Sequence, residues 1–126
     1  MGRSAITVNA CDGTWKTRET PDAIDVANDH SKAAASNFKR MIILVHISAG
    51  TGTGGDIALK AGTAWPAFRK DLGDLAIGGN LVATEEYVLG PIETARYLQA
   101  DGTIHLDVTD TSNSNLAGTI EAYALP

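Results

Sequence analysis

Glycine sets the terms for this chain. Thirteen glycines, joined by many Thr, Asp and Asn residues, cut the 126 residues into short pieces. No long segment keeps a helical period, and pieces of this length between turn-forming residues are the grammar of an all-β domain. The clearest piece is Ile104, Leu106 and Val108 alternating with His105, Asp107 and Thr109. That period of two gives a strand with one buried and one wet face. Thr119 to Leu125 repeats the device, with Ile120, Ala122 and Ala124 on one face.

Other strands are expected at Ala5 to Asn9 (Ile6 and Val8 on one face), Asp22 to Ala27 (Ile24 and Val26 inward), Asp56 to Lys60 and Asn80 to Leu89. Phe38 to Ser48 holds the strongest apolar run, Met41-Ile42-Ile43-Leu44-Val45. An unbroken run suits a central strand covered on both faces, and burial against a neighbouring subunit would serve as well. His30 to Asn37 reads as a loop or a single helical turn. Thr63 to Ile77 reads as a long connection with a short helix begun near Pro66. The sum is one all-β domain over 1–126, a β-sandwich or jelly-roll-like fold with long loops and room for one short helix, in which residues 1–5 form an N-terminal arm.

A net charge of −5 argues against a nucleic-acid or anionic-membrane partner, since both are held mainly by Lys and Arg. Lys39-Arg40 and Arg69-Lys70 are isolated pairs, not a basic stripe. One cysteine, Cys11, forbids an internal disulfide framework. No apolar run approaches a membrane span, and MGRSAITVNA lacks the apolar core of a secretory signal, so the expected site of synthesis is a reducing cytoplasm.

Motifs for chemistry fare poorly. Gly50, Gly52 and Gly55 match the dinucleotide spacing after an apolar strand, but Gly62 and Pro66 leave no room for the helix whose amides would meet a pyrophosphate. A flexible hairpin loop is the expectation there, and no cofactor is expected. His30, His46 and His105 are far apart, so no metal site is expected from spacing. Cys11 sits beside Asp12, the opposite of the electropositive setting a reactive thiolate needs. Glu85 and Glu86 are adjacent, which sends them to opposite faces of a strand. No enzymatic activity is expected. The aromatic residues in loops, Trp15, Trp65 and Phe68, together with Leu72, either plug the ends of the sandwich or anchor a protein partner.

The C-terminal half carries a family likeness. Its residues are Tyr87-Val88-Leu89-Gly90-Pro91-Ile92-Glu93, then Ala95 to Gly102, then Thr103 to Thr109 and the last strand Ile120 to Leu125. A strand ending in Gly-Pro, a Tyr-containing loop leading to Asp-Gly, and a closing strand pair resemble small tailed-bacteriophage virion proteins, the β-sandwich subunits that decorate or cement capsids. Pro91, lacking an N–H, is expected to end pairing after Leu89. Asp101-Gly102 supplies a chain-reversing turn. The resemblance implies a decoration subunit on the capsid surface, made in the host cytoplasm, that binds the major capsid protein and associates with itself, as a trimer for instance. A head–tail connector or tail subunit is the alternative within phage structure, and a small carbohydrate-binding module stacking sugars on Trp15 or Trp65 is the alternative outside it. The expected contact elements are the arm 1–5, the loop around Trp15 and the connection from Trp65 through Phe68 to Leu72.

Overall fold

A computed structural model describes residues 2–33, 39–63 and 73–126. Among these residues ten strands form two mixed sheets: β1 (Ser4–Ala5), β2 (Val8–Ala10), β3 (Asp22–Ala23), β4 (His30–Ala33), β5 (Arg40–Ala49), β6 (Asp56–Leu59), β7 (Leu75–Ala76), β8 (Glu86–Glu93), β9 (Thr103–Thr109) and β10 (Ala117–Leu125). One sheet runs β1-β4-β9-β6-β7 and the other β2-β10-β5-β8, with β3 also on β10. The β1–β4 and β2–β10 pairs are parallel and the other strand pairs antiparallel. The expected all-β sandwich class holds. Helical structure among the described residues is one 3-10 turn, Thr94–Tyr97; the helix expected near Pro66 lies outside them.

The core is built by alternation. Met41, Ile43, Val45 and Ile47 of β5 face Ile57, Leu59, Ile104, Leu106 and Val108 of the opposite sheet, and all are buried. Each such side chain withdrawn from water contributes about 1.5–3 kcal/mol. β10 lies against β5 over its whole length and presents Ile120, Ala122 and Ala124 inward. Gly118 is fixed by proximity, because a Cβ there would stand 2.1 Å from the His46 carbonyl oxygen.

Several expectations are corrected. The run Met41 to Val45 is covered on one face only: Ile42 and Leu44 point outward, and Leu44 is 36% exposed. The strand expected over Ala5 to Asn9 is two strands in different sheets, the chain crossing at buried Ile6. Asp22 to Ala27 keeps only the two residues of β3, and Val26 is exposed. His30 to Ala33, expected to be loop, is strand β4, held between β1 and β9; residues 34–38 are not among those described. Pro91 does not end β8. The strand bulges at Gly90-Pro91, whose peptide bond is cis, and Ile92 pairs again with Met41. An edge strand tolerates this because proline's missing donor falls where no ladder bond is required. A Cβ at Gly90 would lie 2.6 Å from the Met41 carbonyl oxygen, at a φ of +126°, so the bulge needs glycine.

The first residues are also tied down. The Arg3 guanidinium bridges the Asp107 carboxylate and the His30 carbonyl oxygen, Ser4 Oγ donates to Asp25, and the Ser4 N–H donates to the Asp29 carbonyl at 2.9 Å. Arg3, Ser4 and Ala5 of the arm expected over 1–5 are therefore held against the sandwich.

Candidate docking surface

The connection from β2 to β3 is exposed at every position from Cys11 to Thr20. Its base is nonetheless fastened. The Cys11 N–H donates to the Ala124 carbonyl at 2.8 Å, and the Glu19 N–H donates to Asn9 Oδ1 at 2.8 Å. Arg18 pairs with Glu121 at 2.7 Å, and the other oxygen of Glu121 accepts from the Tyr123 hydroxyl at 2.6 Å. At the tip, Asp12 Oδ1 accepts from the Thr14 hydroxyl at 2.6 Å and the Thr14 N–H at 3.1 Å, and Lys16 Nζ lies 3.0 Å from Oδ2. The Thr14 hydroxyl, then Lys16, hold the Asp12 carboxyl down at about 2. Aspartate followed by glycine makes this local turn without help from distant residues.

The turn delivers Trp15, which is 102% exposed, into solvent. A groove of about 460 Å³ runs between the loop and the sheet, bounded by Trp15, Arg18, Val8, Asn9 and Tyr123. An indole carries well over 100 Å² of apolar surface that a partner can cover. Of the two roles open to Trp15 from sequence, plugging the sandwich is excluded by this exposure. Trp65, Phe68 and Leu72 lie outside the described residues.

The remaining candidates stay apart. His30 is fully buried; His46 faces outward with Nδ1 3.5 Å from Glu86; His105 Nε2 is 3.9 Å from Asp101. No group of three or more His, Cys, Asp or Glu able to hold a metal occurs among the described residues. The glycine motif leads directly into β6, with no helix, and it is not a loose hairpin. Asn113, 1% exposed, accepts from the Thr51 N–H at 2.8 Å and donates to the carbonyls of Gly54 and Leu81 at 3.0 and 2.9 Å. Three loops are thereby sewn together at one end of the sandwich.

Two features have no signature in the sequence. One is an environment around His30: its Nε2 accepts the Asp25 N–H at 2.9 Å, its Nδ1 has no hydrogen-bond partner, and Asp25 also caps the turn at Ala27 and Asn28. Asp and Asn at 25 and 28 are ordinary turn residues; nothing local announces the histidine beneath them. The other is an apolar cleft of about 400 Å³ between the sheets, where Tyr87 and Leu89 of β8 face Leu75 and Ile77 beside β6, with Ile43 and Ile57 at its floor. No protein family, curated protein or solved structure matches the chain.

Proposed function

We propose that this protein is a structural subunit of a tailed-phage virion, a decoration or cement protein that seats on the major capsid protein through the Trp15 loop. The observation that carries the reading is a wholly exposed tryptophan on a loop with a fastened base. Leaving an indole in water gains nothing for the monomer. Covering it in a partner's pocket gains a contact of the hot-spot kind, at little ordering cost because the loop base is already held. The Gly-Pro, Asp-Gly and closing-strand pattern of Tyr87 to Leu125 supplies the virion assignment.

The mechanism is interfacial. A contact covering on the order of 800 Å² per partner, repeated over a shell, holds neighbouring capsomers together with no reacting group involved. Mixing the purified protein with capsids stripped of decoration tests it. Wild-type protein should co-sediment at a copy number that scales with the shell, and Trp15→Ala should weaken binding roughly thirtyfold or more, the effect of losing about 2 kcal/mol. Equal binding by the variant, or none by the wild type, overturns the reading. Saturation at a few copies per particle points instead to a head–tail ring, limited by closed symmetry. An exposed indole beside a groove also suits sugar stacking. Glycan binding by the wild type that Trp15→Ala abolishes would favour that module.

A further inference from the structure

The outer edge of β8 pairs with no described strand, since β8 ends its sheet. We infer that this edge is a self-association surface, on which β8 of a second copy pairs antiparallel across a two-fold axis through Val88. The inference goes beyond the function proposed above, and it stands whatever the copies then coat.

Four observations lead there. Val88 is 69% exposed and lies beside Leu44, its cross-strand neighbour on β5, so the edge begins with an apolar step. Second, the edge has free bonding groups at the right places. The Ile47 N–H donates to the Glu85 carbonyl at 3.0 Å, and hydrogen-bonded residues alternate along an antiparallel pair. Tyr87 and Leu89 therefore address β5, while Glu86 and Val88 turn their N–H and C=O groups outward. Third, the bulge and proline that blunt this edge lie at Gly90-Pro91, beyond Val88, and β8 carries no lysine. Fourth, the apolar cleft between the sheets is lined on this side by Tyr87, Val88 and Leu89.

A second copy fits these features because the strand is complementary to itself. With Val88 opposite Val88, Tyr87 falls opposite Leu89 and Glu86 opposite Gly90. No like charges face each other, although β8 holds glutamates at both ends. Two-fold symmetry makes each contact occur twice. The Tyr87 and Leu89 side chains of the two copies, which line the clefts, fall on the same face of the joined sheet. Proline at 91 is no obstacle, since the pairing centred on Val88 draws its donors from Val88 and Glu86 and none from Pro91.

Sedimentation of the full chain over a concentration series tests the proposal. Wild-type protein should pass from monomer to dimer, and Val88→Lys, which sets two ammonium groups face to face across the axis, should stay monomeric with an unchanged far-ultraviolet circular dichroism spectrum. A second variant reads the register directly. In a Cys11→Ser background, Val88→Cys should give a covalent dimer on oxidation with oxidised glutathione, because paired residues in a hydrogen-bonded antiparallel site lie about 5.5 Å apart at Cα, within disulfide reach. A wild-type chain that stays monomeric, a trimer, or a dimer that Val88→Lys leaves intact and Val88→Cys fails to cross-link each overturns the inference. Capsid binding by Val88→Lys would leave the proposed function standing while the edge contact is judged separately.

Discussion

His30 is the residue whose chemistry is most sensitive to its surroundings. Burial is the largest influence on its imidazole and holds its pKa below the ordinary 6.5; Asp25, Asp22 and Asp29 pull the other way, and Arg3 adds to the depression. Protonation would also cost the ring its acceptor role toward the Asp25 N–H. The sign follows from linkage. As pH falls through 6.5 the unfolded chain takes up a proton that the folded chain refuses, so stability declines on acidification. The urea midpoint should drop between about pH 7 and 5, and the drop should shrink in His30→Gln; an equal slope in the variant would remove His30 as its source. A second loss follows at lower pH. The Asp12 and Asp25 carboxyls are both held at about 2, each chiefly by a side-chain hydroxyl, of Thr14 and of Ser4. Their stabilisation is complete well above 3.8 and fades as pH falls toward 2.

At the scale of the element, local pattern reads well where a strand has one wet face. β9 and β10 appear within two residues of their expected bounds because Ile104, Leu106 and Val108, and Ile120, Ala122 and Ala124, keep period two. β4 is hidden because His-Ser-Lys-Ala has no apolar alternation; its place comes from β1 and β9 on either side, contacts between residues far apart in the chain. The same holds at Pro91, where tertiary pairing with Met41 overrides a local stop signal. For the candidate site, the Asp-Gly turn and its tryptophan are legible, while the exposure of Trp15 is not, because sequence alone cannot say which aromatic ring finds a neighbour. Loops, too, can be elements with a keystone. Asn113→Ala would strand the Thr51 N–H and the Leu81 carbonyl and take one of two donors from the Gly54 carbonyl, and should cost about 2–3 kcal/mol in chemical denaturation. A loss below about 0.5 kcal/mol, the range of an ordinary surface substitution, would show that the three loops hold without it.

Across the whole molecule, stability and the proposed docking draw on different residues. Ile120 is 0% exposed where the two sheets meet, and Ile120→Ala should cost about 2–5 kcal/mol by leaving a cavity in a close-packed core. Trp15→Ala should leave the thermal midpoint within a few degrees of wild type, since a surface change away from packing and caps stays within about 0.5 kcal/mol. Melting curves of the two variants decide this: a Trp15→Ala midpoint lowered as far as that of Ile120→Ala would mean that the indole packs against its own chain.

The parallel pairing of β2 with β10 matches Val8 to Ala122, and β10 in turn separates β2 from β5. A ribosome making this polypeptide therefore emits the strand that joins the halves of this sheet after the nine other described strands. Until then β5, the most apolar stretch, has one flank bare, and closure waits on a search along almost the whole chain, a slow event by the standards of small domains. Nascent copies crowded on one messenger would expose that flank to each other until β10 has been made.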